Sequence, residues 1–268
     1  MRSHEEFMVK VAIIAHSPQG AMIAEQVCSR FSGAVLYLHK DLQPVFGSLP
    51  FESIFELISS SFNKYSGIIY IGPSGVIVRA IAPHIKSKLS DPAVVCVDAA
   101  GLWCMSILSG HEGGANELTV AVANATGAEP IITTTTEALK PYYIGVGCRR
   151  DTSSENIVEL IHDGLSQISL TLESVRYIAS SVIKSNERGL IKAALSCGVP
   201  LRFIPDWCIR QFAGMVTVSE RVMSQFNLPA VAEPSALAAG RNTTLVLKRI
   251  QKNGVTVAIA RENSTWSE

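Results

Sequence analysis

The 268-residue chain has no surplus of charge, because 23 basic residues are matched by 23 acidic ones. That balance removes the overall field that would draw it to nucleic acid or an anionic membrane, so an acidic ligand must be held by local groups. No apolar run approaches the length needed to cross a bilayer. The charged start, residues 1–6, is followed by no signal-peptide hydrophobic region, which predicts a cytoplasmic protein. The six cysteines are scattered and none forms C-x-x-C, so neither a zinc site nor a thioredoxin-type motif is indicated; free thiols in a reducing compartment are expected. Also missing are G-x-G-x-x-G, a Walker loop with its Lys-Ser/Thr, a G-x-S-x-G elbow, H-E-x-x-H, any internal repeat and any low-complexity tract. A nucleotide enzyme, a serine hydrolase and a compact metal box all lose their usual support.

What is present is an alternation of short apolar β-branched runs with helical periodicity. Strands are expected at residues 9–15, 34–38, 67–71, 93–97, 102–108 and 131–134, and helices over 21–31, 51–65 and 118–125. A helix carrying Arg79 follows residue 75 and closes near Pro83. Asp98-Ala99-Ala100-Gly101 reads as a hairpin-like turn between two of the strands. A second series begins at Tyr142, with strands at 142–146, 175–179 and 201–204, helices over 155–168 and 188–197, helical pieces around 206–212, 218–226 and 232–239, and a closing hairpin about Lys252-Asn253-Gly254. The expected fold is α/β in two domains, residues 1–137 and 142–262. Each is a mostly parallel sheet flanked by helices in three α/β/α layers, with hairpins at sheet edges.

The densest chemistry lies in Ser109-Gly110-His111-Glu112-Gly113-Gly114-Ala115-Asn116-Glu117-Leu118, a strand, a glycine-rich turn and a helix start. Glycines admit a close backbone approach, and a new helix presents unpaired N–H groups to an anion. His111, in the turn itself, is the candidate general base or metal-facing ligand, with Glu112 and Ser109 beside it as catalytic candidates. Gly110, Gly113, Gly114 and Asn116 would line the same loop. Gly72-Pro73-Ser74-Gly75 is a second loop of this kind, with Arg79 on the helix that follows as an anion anchor or a solvated side chain. Because ligands of such sheets sit beyond the carboxyl ends of strands, both loops and the threonine run containing Thr134 are expected at one edge. In the second domain Arg149 and Arg150, near Thr152, form either a fork suited to carboxylate or phosphate or a solvated basic pair. On spacing alone, Lys184 and Glu187 read as a surface ion pair sooner than as ligand-binding groups. No side chain is expected to hold a metal.

Longer blocks carry a resemblance. Residues 72–83, 90–98 and 108–118 resemble the amino-terminal domain of the CbiG family of cobalamin biosynthesis proteins. Gly145-Val146-Gly147-Cys148-Arg149-Arg150, Ile178-Ala179-Ser180 with Lys184, Glu187, Gly189 and Leu190, and residues 231–237 resemble its carboxy-terminal domain. The resemblance implies a cobalt-precorrin-5A hydrolase of the anaerobic pathway, opening a tetrapyrrole lactone with release of acetaldehyde, or else a non-catalytic corrinoid-binding protein of that pathway. It implies no cofactor, since cobalt enters as part of the substrate. The resemblance supplies the reaction and not the residue roles; the candidates for substrate binding, besides those above, are Gly72, Ser74, Gly75, Arg79, Thr134, Thr152, Ser180, Lys184 and Glu187, and a homodimer or contact with other corrin-pathway enzymes is left open. The variable middle segment that many members carry is missing; only residues 137–141 join the two domains.

Overall fold

Val11–Ala15, Gly67–Ile71 and Ala93–Val97 are buried at every position rather than at alternate ones, the mark of strands covered on both faces. The computed structural model describes residues 10–45 and 47–263. The charged start at residues 1–6, residue 9 of the first expected strand and residues 264–268 lie outside the described residues. The chain divides into two compact units, Met1–Thr134 and Thr135–Glu268.

In the first unit the elements run β1 (Val11–Ala15), α1 (Pro18–Cys28), β2 (Val35–His39), β3 (Leu49–Phe51), α2 (Ile54–Ser61), β4 (Gly67–Ile71), α3 (Ser74–Ile81), β5 (Ala93–Val97), β6 (Trp103–Leu108), α4 (Ala115–Thr126) and β7 (Glu129–Ile131). The sheet order is β3-β2-β1-β4-β5-β6-β7, parallel throughout except where β5 meets β6. Val11, Ile13 and Ala15 pack with Ala24 and Val27 of α1 and with Ala115 and Val122 of α4. Ala12 and Ile14 point the other way, to Ile58 of α2 and to Ile77 and Ile81 of α3. The sheet is therefore the middle of three layers.

Among the boundaries that differ from the sequence reading, three have a plain local reason. Helix α1 starts at Pro18, because Ser17 accepts the Gly20 N–H at 3.1 Å and proline is preorganised at the first helical position. Phe51 ends a strand, and the helix that follows begins only at Ile54, after Ser53 caps it. The strand expected at 131–134 is Glu129–Ile131, pairing with β6 from Trp103 to Met105. Pro130 is tolerated there because β7 is an edge strand whose outer side needs no donor.

The second unit contains α5 (Thr135–Ala138), β8 (Tyr142–Cys148), α6 (Ser154–Gln167), β9 (Val175–Ser181), α7 (Arg188–Cys197), β10 (Leu201–Ile204), α8 (Asp206–Arg210), α9 (Glu220–Phe226), α10 (Ala232–Ala238), β11 (Thr243–Lys252) and β12 (Val255–Glu262). Its order is β10-β9-β8-β12-β11. Here the sheet is mixed: β8, β9 and β10 are parallel, while the β11–β12 hairpin adds antiparallel pairings. Asn253 and Gly254, with φ of 50° and 79°, make the two-residue hairpin turn that their sequence predicts. Helices α6 and α7 cover one face through Ile157, Ile161, Leu190 and Ala193; α10 covers the other through Ala236 and Leu237.

Candidate functional site

The hairpin at residues 98–101 decides where the chemistry lies. It reverses β6, so Val97 pairs with Cys104 and Val94 with Leu108. The loop that leaves β6 at Ser109 therefore emerges at the amino-terminal edge of β4 and β5, whereas Gly72 leaves β4 at its carboxyl edge. The expectation of one shared edge is wrong: the two glycine loops occupy opposite edges of the sheet. Thr134 stays with the His111 loop, because Asn116 donates from Nδ2 to its Oγ1 at 3.0 Å and receives the Ser106 hydroxyl on Oδ1. Lys88, from the segment leading into β5, bonds Glu112 across the same edge at 2.5 Å. Gly72, Ser74, Gly75 and Arg79 are not part of this group. Arg79 itself folds back onto the Gly75 carbonyl at 3.2 Å.

Within the His111 loop, Ser109 adopts φ 59°, and its carbonyl accepts the N–H groups of Gly113 and Ala115. Gly113 has to be glycine, because a Cβ there would lie 2.3 Å from the Ser109 Cβ. The N–H of Asn116 goes to the Gly110 carbonyl. The first N–H groups of α4 are thus spent inside the loop, contrary to the expectation that they face an anion. The amides of His111 and Gly114 have no partner among the described residues, and neither does the buried Ser109 hydroxyl. The His111 side chain is exposed. Glu112 is held below the usual carboxylate range, first by the Lys88 hydrogen bond and then by its own backbone N–H. An ionised, ion-paired Glu112 suits anchoring and orienting better than proton donation.

The opposite edge contains a residue the sequence reading passed over. Between β1 and β4 the chain order reverses, the place where open α/β sheets form a crevice. His16 stands there, its Nδ1 2.9 Å from the hydroxyl of the fully buried Tyr70, with the rings stacked 8° apart. A Cβ on Gly72 would lie 2.6 Å from His16 Cε1. Desolvation, then the nearby His39, lowers the His16 pKa. The usable signal was a histidine ending an apolar strand just before a Ser-Pro helix start.

The second unit holds a cavity of 910 Å³ at the carboxyl ends of β8 and β9, walled by α9, the start of α10 and the β11–β12 turn. Six cations line it: Arg149, Arg150, Lys184, Arg221, Arg249 and Lys252. Against them stand only the carboxylates of Glu187 and Glu233. Glu187 is already paired with Lys184 at 3.0 Å, a largely enclosed pair rather than the surface one that spacing allowed. Glu233 is spent on the backbone N–H groups of Thr217 and Arg249. Lys252 bonds Glu159 and Asp163. The guanidinium groups of Arg149, Arg150, Arg221 and Arg249 have no ion pair among the described residues.

Thus Arg149, Arg150, Lys184 and Glu187 come together, while two other expected binders do not line the cavity. Ser180 is fully buried and donates to the Val146 carbonyl at 2.7 Å, tying β9 to β8 beneath the cavity. Thr152 donates to the Arg149 carbonyl at 2.8 Å and shapes the loop instead. Arg221 and Arg249 were missed because an arginine on an exposed helix or an edge strand looks, in sequence, like a solvated one. Cys148 also lines the cavity, its thiol pushed up to about 11 by burial, with Lys184 opposing and Glu187 adding to the shift. At pH 7 the thiol is held in its neutral form. Iodoacetamide should therefore label Cys148 far more slowly than free cysteine, with a rate that climbs toward pH 11. Among the described residues no group of three or more His, Cys, Asp or Glu is placed to hold a metal ion, and no helix is long and apolar enough to cross a membrane.

Comparison with known proteins matches both units to described families. A family model described as cobalamin synthesis G N-terminal matches residues 56–137, and one described as cobalamin synthesis G C-terminus matches residues 142–260. The cobalt-precorrin-5A hydrolase of Salmonella typhimurium is 24% identical over 342 residues, covering 93% of this chain and 97% of the relative. That of Priestia megaterium is 24% identical over 352 residues, covering 93% and 94%. Both alignments are longer than this chain, so the relatives contain segments it lacks. A solved cobalamin biosynthesis protein G homolog from Sulfolobus solfataricus is 21% identical, covers 96% of this chain and 98% of that one, and has a TM-score of 0.38.

Proposed function

The chain belongs to the CbiG family of cobalamin synthesis proteins, and on that basis we propose that it is a cobalt-precorrin-5A hydrolase of anaerobic cobalamin biosynthesis, working in the cytoplasm. The observation that carries the reading to chemistry is the cavity of the second unit. A tetrapyrrole of this pathway carries many carboxylate arms, and four unpaired guanidinium groups around 910 Å³ offer planar, bidentate donors to such arms. Arg149, Arg150 and Lys184 hold the acidic periphery. Cobalt arrives with the substrate.

The reaction calls for a base, donors to an oxyanion and a route for the departing carbon unit. Water adds to the lactone carbonyl carbon and gives its proton to the His111 imidazole. The amides of His111 and Gly114 stabilise the developing oxyanion. The ring C–O bond then breaks and the departing oxygen is protonated. Loss of that hydroxyl proton and cleavage of the adjoining C–C bond, its electron pair passing to the macrocycle, release acetaldehyde. Glu112 and Asn116 keep the loop in shape through Lys88 and Thr134.

A second reading is favoured by one observation. The relatives' alignments exceed this chain in length, so the chain could bind corrinoid without turning it over. Incubating the purified protein with cobalt-precorrin-5A and following acetaldehyde through alcohol dehydrogenase and NADH separates the two. One acetaldehyde per corrinoid is expected; binding with no acetaldehyde would leave only the second reading.

A further inference from the structure

We propose that Arg249 is a further carboxylate-binding residue of the second unit's cavity, and that Glu233 is the group that positions it. The proposal rests on the reading of that cavity as the tetrapyrrole site. Its own support is the second of two breaks in the register of an edge strand, the first lying between Leu245 and Leu247. Along β11, Leu247 pairs with Ile259 of β12 and Ile250 pairs with Val257, so three steps on one strand face two on the other.

In a regular strand Leu247 and Arg249 would share a face and Ile250 would lie on the opposite one. Here Leu247 and Ile250 both pack onto the α6 side. A Cβ on Gly164 of α6 would lie 3.2 Å from Leu247 Cδ2 and 3.4 Å from Ile250 Cδ1. The extra residue turns Arg249 away from that apolar layer and into the cavity lining. Bulges commonly re-aim a side chain in this way beside a site.

A bulge leaves a backbone donor outside the ladder, and that donor needs a partner. Glu233, 2% exposed at the start of α10, accepts the Arg249 N–H on Oε1 at 3.2 Å and the Thr217 N–H on Oε2 at 2.8 Å. One carboxylate thereby fixes the bulge and the loop before α9 together. With its charge met by two backbone donors, Glu233 does not compete for the guanidinium, which stays free for a ligand carboxylate.

The test titrates the full chain with an octacarboxylate porphyrin, uroporphyrin, followed by its fluorescence. Arg249→Ala should weaken binding about tenfold or more. Arg249→Lys should recover only part of that, since a point charge cannot form the bidentate contact. Lys248→Ala, an exposed cation next in sequence and outside the lining, should stay within about twofold. Glu233→Gln should weaken binding severalfold in the wild-type background and not at all in the Arg249→Ala background, the signature of one residue acting through the other. Binding by Arg249→Ala within twofold of wild type overturns the proposal. An undiminished Glu233→Gln loss in the Arg249→Ala background, or a Glu233→Gln chain that does not fold, assigns Glu233 to the fold alone and overturns the positioning role. Failure of the wild type to bind the porphyrin overturns the proposed function itself.

Discussion

His111→Gln is expected to lower acetaldehyde release by about 10²- to 10⁴-fold, the range that a positioned general base contributes. Binding of the corrinoid should stay close to wild type, because the cationic cavity belongs to the other unit. Glutamine keeps the size and polarity of the side chain and removes its ability to take a proton. The His111 side chain is exposed, so the change leaves no cavity and disturbs no core. The informative comparison is His16→Gln. His16 and His111 sit at opposite edges of one sheet, so they cannot both act on the same bond. On the present account the His16 variant keeps turnover, and its loss is confined to the Tyr70 hydrogen bond. The reverse result, a silent His111→Gln and a dead His16→Gln, would move the chemistry to the crevice between β1 and β4.

Gly145→Ala should destabilise the second unit by about 3 kcal/mol or more, at the upper end of what overpacking costs. The added Cβ would lie 1.9 Å from the Ala232 carbonyl oxygen and 2.7 Å from the Ala236 nitrogen, both backbone atoms of α10. A side chain could swing aside, but a helix backbone pressed on a central strand can relax only by moving as a body. That movement would carry Val231, Ala232 and Glu233, all of which line the cavity, away from β8. The thermal midpoint of the transition that includes this unit should fall by about 10 °C. Gly214→Ala is the control, since nothing lies within 4 Å of its Cβ position, and it should stay within about 0.5 kcal/mol of wild type. Equal midpoints for the two variants would show that α10 is not packed against Gly145 as described.

Much of this architecture was legible in the residues. The uninterrupted apolar runs at Ile68–Ile69 and Val94–Val95 could only be strands covered on both faces, and the Asn253-Gly254 pair fixed the closing hairpin. The site was legible in composition and not in placement. The turn at residues 98–101 was readable as a hairpin, and a hairpin reverses the strand that follows it, yet strand-helix alternation invites the assumption that every loop after a strand lies at one edge. Asp98, whose carboxylate takes the N–H groups of Ala100, Leu102 and Trp103, is what fixes that reversal. Arg249 was hidden for a related reason. Counting by twos from Leu247 puts it on the α6 side, and the extra residue between Leu247 and Ile250 puts it on the other. Ser180 misled in the opposite sense: a hydroxyl at a strand's carboxyl end looks available, but it is spent on Val146.

The most direct test of the whole account is to locate the cobalt of a bound cobalt-precorrin by anomalous scattering at the cobalt absorption edge, in crystals of the unaltered protein. The metal should lie in the second unit's cavity, with the macrocycle's carboxylates on Arg149, Arg150 and Arg249. Cobalt bound elsewhere, with those guanidinium groups left in solvent, would contradict it.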